Sequence, residues 1–462
     1  MIERVIKRYI GPRSFYRRAL GVMLPLALQN AVTNFVSLLD NIMVGQTGTA
    51  SMTGVAVVGQ LMFIFYMFVF GTMAGPGIFC AQFWGARDMR SFRAAFRYKL
   101  AAGLIVCGLC MLALGLRGRA LIGLYLTGGT AETAEVMARA RAYLSIMLWG
   151  MIPYTLSSVY ATTLRETGRT VVPMVSSLLA VAVNLVLNWV LIFGKLGAPA
   201  MGVRGAAVAT VVSRLCELAV NLVWSHANAE RVLFTRHMLE GFPMNRRLFM
   251  NLLSKSAPLM ANEALWCLGM ATLTQIYSTR GLVVVAALNI ANVLWDLFSS
   301  LIFSIGGAIG IMVGQELGAG ETELAVETDR RLIALAVAIS LCVSAVFLLT
   351  APLFPAFYNT TDEVRSLAAR IIRVMALVEP FDCFATVCYF TIRSGGRTAV
   401  TFLFDSVFTW VFCVPAAFLL ARFTSAGILV VYGVSMMMIA MKALMGFIMV
   451  RGRFWVNTLT GR

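Results

Sequence analysis

The chain has 462 residues, 60% of them hydrophobic and only 13% charged, with a mean hydropathy of +0.83. Soluble domains carry roughly 25% charged residues, so a soluble, disordered or fibrous protein is excluded and most of the chain belongs in lipid. Its 38 Lys and Arg against 21 Asp and Glu give a formal +17, which in a membrane protein reports loops held in the cytoplasm rather than a nucleic-acid partner.

A membrane helix needs about 20 predominantly apolar residues, and runs bounded by charge clusters and Gly/Pro breaks predict twelve spans. The first, 19–44, follows a basic segment (Arg4, Lys7, Arg8, Arg13, Arg17, Arg18) that lacks a cleavage site. It reads as a retained span and not a signal peptide, and it carries Pro25 and Asp40. The second, 52–80, runs into Gln82-Phe-Trp-Gly85-Ala86. The third, 98–116, contains Cys107-Gly-Leu-Cys110, a CxxC spacing with no second pair and no nearby His. All nine cysteines lie in apolar runs, where Cys behaves as a small hydrophobe. The fourth, 134–160, bears Trp149, Tyr154 and Tyr160; the fifth, 171–194, bears Asn184 and Asn188 one turn apart, so both amides share a face. The sixth, 203–225, includes Thr210, Arg214 and Glu217.

The longest hydrophilic stretch, His226 to Arg247, then divides the chain. It predicts an N-lobe over 1–225, a cytoplasmic connecting loop over 226–247 and a C-lobe over 248–462. The seventh span, 248–278, has Pro258, Glu263 and Trp266; the eighth, 283–314, has Asp296; the ninth is 332–351. The tenth, 366–390, has Glu379, Asp382 and Tyr389; the eleventh, 398–421, has Asp405; the twelfth, 426–450, has Lys442. With both termini in the cytoplasm, and residues near a span end counted with the adjoining connection, the termini and even-numbered connections hold 25 of the 38 Lys and Arg and the odd connections 11, with Arg214 and Lys442 deep inside spans. That bias favours cytoplasmic termini and an even number of spans.

The two halves repeat each other. At an interval of 233 residues Pro25 meets Pro258, Gly48 meets Gly281, Gly77 meets Gly310, Gln82 meets Gln315, Gly85 meets Gly318 and Ala86 meets Ala319. At an interval of 228, Arg165-Glu-Thr-Gly168-Arg169-Thr170 meets Arg393-Ser-Gly-Gly396-Arg397-Thr398. Each repeat holds an even number of spans, so both enter the membrane in the same sense. The expected fold is an all-α polytopic membrane protein of twelve transmembrane helices, in two six-helix bundles related by a pseudo-two-fold axis along the membrane normal, with a cleft between them.

These residues resemble the multidrug and toxic compound extrusion (MATE) family of cation-coupled antiporters. Pro25 with Asp40-Asn-Ile-Met-Val-Gly45-Gln-Thr-Gly48 resembles the family's Pro…Asp-x-x-x-x-Gly-x-x-Gly, and Gln82-Phe-Trp-Gly85-Ala86 with Gln315-Glu-Leu-Gly318-Ala319 resembles its signature after spans two and eight. Leu164-Arg165-Glu-Thr-Gly168 and Ile392-Arg393-Ser-Gly-Gly396 resemble its Leu-Arg-x-x-Gly element, and Asn184 through Gly194 followed by Met201 through Thr210 resembles its fifth and sixth spans. The resemblance covers essentially the whole chain. It implies an inner-membrane exporter that exchanges H⁺ or Na⁺ for organic, often cationic, compounds, with no cofactor beyond the coupling ion.

Ionisable groups at membrane depth are expensive and mark ion paths, which makes Asp40, Glu217, Glu263, Asp296, Glu379, Asp382 and Asp405 the candidates. Pro25 removes one backbone hydrogen bond from the helix that carries Asp40, so protonation of the acid can be linked to a bend. The family's N-lobe cation site resembles Asp40 with Asn184, Asn188 and Thr210. Many members have Asp where this chain has Asn188, which turns a two-carboxylate site into a one-carboxylate site and favours a single proton over Na⁺. In the C-lobe, Asp382 precedes Arg393 by the spacing of an acid that some members use for cation binding, and Glu263 is expected to face it. The resembling acid of span seven falls about one turn later, at Trp266. Substrate contacts are expected from Trp149, Tyr154, Trp266, Asp296, Tyr389 and Asp405, because aromatic faces and acids attract organic cations, and 27 Met supply an adaptable apolar lining.

Other classes fare worse. A lipid-linked oligosaccharide or lipid flippase of the wider superfamily is the alternative, but it calls for a basic cleft, and the Lys and Arg here cluster in loops. Hydrolysis inside the membrane lacks HExxH, GxSxG and GxGD, and a phosphate loop GxxxxGK[ST] is absent, so ATP is not the energy source. The only His residues, His226 and His237, lie in the central loop, and a channel fits a duplicated bundle poorly. The expected partners are small organic substrates and membrane lipid, with no nucleic acid, and the chain is expected to work as a monomer.

Overall fold

A computed structural model of the chain describes residues 9–126, 131–236 and 245–460. Among the described residues there are twelve long helices and no strand: α1 (Arg13–Gly45), α2 (Thr49–Gly85), α3 (Met89–Gly123), α4 (Ala131–Glu166), α5 (Val171–Phe193), α6 (Val203–Ala227), α7 (Arg246–Ser278), α8 (Leu282–Gly318), α9 (Thr322–Thr350), α10 (Asp362–Ser394), α11 (Thr398–Phe423) and α12 (Ile428–Arg451). Each predicted span falls on one of them. Ten are long and apolar enough to cross a membrane by length and composition. The exceptions, α7 and α10, carry more charge at their ends and along their length. Helices are the natural solution in lipid because every backbone donor finds its acceptor within the segment.

The chain forms two compact units. One comprises Met1–Ala27, Ala81–Arg87 and Ala257–Arg462, the other Leu28–Cys80 and Asp88–Ser256. The division runs through α1, α2 and α7 and not through the central loop. His237 lies outside the described residues.

In the second of these units, α4, α5 and α6 are pinned by amides and hydroxyls: Ser176 donates to Asn221 at 3.0 Å, and Asn221 donates to Ser157 at 3.1 Å. Asn221 is fully buried, so both of its polar ends need these partners. Phe92 and Phe96 on α3, Tyr160 on α4 and Phe234 beyond α6 stack as one aromatic cluster, and the Tyr160 hydroxyl meets His226 at 3.2 Å. Tyr160 is therefore core. Lys99, which stands at the start of the third predicted span and counts with the connection before it, is completely buried in α3 and bound to both oxygens of Glu166 on α4, at 2.5 and 2.6 Å.

In the first unit, α7 to α10 and α12 close over small residues. Ala287 and Ala291 of α8, Ala368 and Ala376 of α10 and Val431 of α12 are fully buried beside Phe347 and Ile371. Their short side chains let helices approach closely, which is what drives association where water is absent. The repeated Gln-x-x-Gly element also acquires a reason here. A Cβ on Gly85 would meet the Gln315 carbonyl oxygen, and one on Gly318 would meet that of Gln82, so only glycine permits this reciprocal crossing of the ends of α2 and α8. Gln82 itself is fully buried. Its Nε2 donates to the carbonyls of Ser394 (3.0 Å) and Asn457 (3.3 Å), and its Oε1 accepts from the Leu459 amide at 2.7 Å. Beyond α12, Trp455 is buried in a second core with Ile302, Met312 and Ile392.

Candidate functional site

Two polar clusters lie within the helices, one in each unit. In the unit holding Leu28–Cys80, Asp40 is placed near the end of α1, and α5 presents Asn184 and Asn188 to it one turn apart. Asn188 Nδ2 donates to Asp40 Oδ1 at 2.5 Å and to Asn184 Oδ1 at 3.0 Å. Asn184 Nδ2 reaches Thr210 on α6 at 3.4 Å, and Tyr143 on α4 hydrogen-bonds the same threonine. All four members expected from the sequence are thus brought together. Asn188 Oδ1 is buried and, among the described residues, has no hydrogen-bond partner.

The Asn184 amide lies beside both carboxyl oxygens of Asp40: with its nitrogen toward them it donates to Oδ1 at 2.8 Å and Oδ2 at 3.2 Å, which suits the carboxylate.

Beside this cluster, Arg214 of α6 was recognisable in the sequence only as a cation inside a span. It binds Glu217 at 2.9 Å, hydrogen-bonds Tyr66 of α2 and lies over the Tyr154 ring at 5.2 Å; Asp40 is within its electrostatic field. Tyr66 and Tyr154 are themselves in contact, with centroids 4.4 Å apart. A narrow cavity lined by Met62, Phe65, Tyr66, Met147, Gly150, Met151, Thr210 and Arg214 adjoins them. Tyr154 thus lies beside the acid cluster, whereas Trp149 on the same helix is 70% exposed and joins neither cluster.

In the other unit, α11 winds through two π-helical turns, Leu403–Val407 and Thr409–Cys413. Such turns displace side chains from the regular helical register and recur at functional sites. Here they surround Asp405. Lys442 of α12 donates to Asp405 Oδ1 at 2.5 Å, and Asn262 of α7 donates to Asp405 Oδ2 at 3.0 Å. Ser406 bonds Asn262, and the Tyr389 hydroxyl of α10 donates to Glu263 at 3.4 Å and accepts from Asn262 at 3.4 Å. Asp382 of α10 is in the field of both Lys442 and Asp405, and Arg393 acts on Glu263 and hydrogen-bonds Tyr389. Glu263, Asp382, Asp405 and Tyr389 are thereby assembled; Asn262 and Lys442 are the members that sequence reasoning gave no role. Asp296 stands apart, exposed midway along α8, and Trp266 lies one turn beyond Asn262, half-buried. Pro25 is buried in the other unit from Asp40. No group of three or more His, Cys, Asp or Glu among the described residues has the geometry of a metal centre.

The helices and the two clusters define a polytopic all-α transporter fold of twelve spans. A family model, MatE, matches the chain twice, over residues 25–190 and 258–419, and its two segments start on the paired prolines of the repeat. The chain belongs to the MatE family. It is 25% identical over 424 residues to a probable multidrug resistance protein NorM of Bacillus subtilis, covering 91% of this chain and 92% of that one. It is 24% identical over 425 residues to the multidrug resistance protein MdtK of Edwardsiella ictaluri, covering 88% and 87%. The Vibrio cholerae MATE transporter VcmN has the same fold, with a TM-score of 0.87 at 17% identity over 97% of this chain and 99% of that one.

Proposed function

We propose that this chain is a secondary antiporter of the plasma (inner) membrane, with both termini cytoplasmic, that exports organic, often cationic, compounds in exchange for H⁺ or Na⁺. The observation that carries this reading is Asp40: an acid at membrane depth, held by the Asn188 amide at 2.5 Å with Asn184 and Thr210 gathered beside it. A carboxyl held among neutral amides is suited to take up and release a cation in each cycle. The multidrug resistance names of the NorM and MdtK relatives support the export of organic compounds. Asp40 with Asn184, Asn188 and Thr210 carries the coupling ion, Glu263 and Asp382 form a second coupling group, and Pro25 is the bend in α1. Tyr154, Trp266 and Asp296 offer aromatic and acidic contacts to the substrate. The protein acts as a monomer in lipid, without a cofactor or nucleic acid.

The test is efflux of a fluorescent organic cation from proteoliposomes under imposed gradients. Export that rises with an opposed H⁺ or Na⁺ gradient and stops when the gradient is collapsed is expected. Undiminished export with neither gradient overturns the reading.

A further inference from the structure

Two of the cations inside spans, Arg214 and Lys442, are 228 residues apart, the interval that pairs Arg165 with Arg393. Gly205 and Gly433, early in the same two helices, share that interval. The two cations therefore occupy equivalent positions in the repeat, on the last helix of each half. Each is committed to an acid of its own unit, Arg214 to Glu217 at 2.9 Å and Lys442 to Asp405 at 2.5 Å. Each also rests on an aromatic ring, Tyr154 at 5.2 Å and Phe404 at 5.4 Å.

Around Lys442 the partners are those a monovalent cation would seek: the carboxylates of Asp405 and Asp382 and, through Asn262, Ser406 and Tyr389, a rim of amide and hydroxyl groups. The ammonium holds Asp405 Oδ1 and Asn262 holds Oδ2, so a metal ion at this carboxylate would share oxygens already engaged and sit beside the ammonium charge. The pair is largely withdrawn from solvent, with the Lys442 and Asp405 side chains 17% and 14% exposed. An ammonium separated from its acid here would be left as an uncompensated charge. A second monovalent cation about 4 Å from it, at an effective dielectric of roughly 20, binds about a thousandfold more weakly than at the same site without the ammonium. The lysine is also covalently attached to the site, and an intramolecular partner has a high effective concentration that free ions must overcome.

We propose that Lys442 is a tethered cation that fills the place of a free metal ion in this unit, so that Asp405 and Asp382 bind no Na⁺. This rests on the antiporter reading, and it deepens that reading by naming the residue that sets ion specificity.

The test is Na⁺ binding by the purified full-length protein in detergent, which does not depend on transport. Radioactive Na⁺ binding and melting temperature in NaCl against choline chloride, at equal ionic strength, are measured for the wild type, Lys442→Met and Lys442→Arg, with Asp40→Asn added to each to silence the other cluster. The Asp40→Asn protein and its Lys442→Arg derivative are expected to bind no Na⁺ and to melt at the same temperature in both salts. The Lys442→Met derivative is expected to gain Na⁺ binding at least a hundredfold tighter and a higher melting temperature in NaCl. Na⁺ binding with Lys442 in place overturns the proposal, even if Lys442→Met does not fold. So does a folded Lys442→Met protein that remains indifferent to Na⁺. Failure of export in proteoliposomes, with these results intact, would count against the antiporter reading alone.

Discussion

Asn188 on α5 holds Asp40 on α1 through its amide nitrogen at 2.5 Å while its own oxygen is buried with no hydrogen-bond partner among the described residues. The contact makes Asp40 the group whose charge the cluster is arranged around. Asp40→Asn is isosteric and keeps the packing, but it removes the titrating proton. It is expected to abolish gradient-driven export in proteoliposomes while membrane levels and melting temperature stay near those of the wild type. Normal export by Asp40→Asn with loss in Asp382→Asn would move the coupling step to the other unit.

Asn184 is expected to matter for a different reason, because its amide nitrogen, turned toward Asp40, donates to both carboxyl oxygens. Asn184→Leu leaves the carboxylate without that donor, and a hydrogen bond to a charged group contributes about 1.5–3 kcal/mol. Exchange measured at saturating substrate should slow about ten- to a hundredfold, whereas Thr210→Val, which removes only the amide's second partner, should slow it less.

The Lys99 to Glu166 pair tests stability apart from transport. Lys99→Met takes the ammonium away from both oxygens of Glu166, and breaking such a buried pair costs about 3–5 kcal/mol. Thermal denaturation should show a large loss for Lys99→Met and a substantial recovery for Lys99→Met with Glu166→Leu. Equal losses in the single and double variants would mean that the pair makes no net contribution.

Glycines of the repeat separate by their surroundings. Gly85→Ala and Gly318→Ala each drive a methyl into a backbone carbonyl of the facing helix and are expected to lower the melting temperature sharply. At Gly310, in the interior of α8, an added Cβ meets nothing within 4 Å, so Gly310→Ala should be neutral or stabilising by about 1 kcal/mol. Matching losses at all three positions would argue against the crossing as the cause.

Much of the fold was legible in the sequence because lipid imposes a simple code. Uninterrupted apolar length marks each span, and Pro25 with Pro258, or Gln82 with Gln315, marks the duplication. Asp40, Asn184, Asn188 and Thr210 were legible as a group through a resemblance that orders them along the chain. Lys99 was not, because a lysine near a span boundary looks the same whether it ends in solvent or folds back onto Glu166. The roles of Lys442 and Asn262 were hidden for a similar reason: each matters through Asp405, 37 and 143 residues away in the chain, and Asp405 reaches them from a π-helical turn that no apolar periodicity announces. Asp296 was expected beside the other acids, yet it lies on an exposed face of α8, since composition alone does not tell which way a residue in an all-apolar helix points.

The buried Gln82 has a consequence for biogenesis. Its three side-chain hydrogen bonds are made to the Ser394 and Asn457 carbonyls and the Leu459 amide, residues that leave the ribosome only after most or all of the twelve helices have been synthesised. During insertion this glutamine must therefore wait, partnered by water or lipid headgroups, until the segment around Trp455 docks. Final assembly at this end is a post-insertion event, and fusing a reporter directly after Arg451 should trap a membrane-inserted but immature protein, distinguishable from the mature one by its sensitivity to proteolysis.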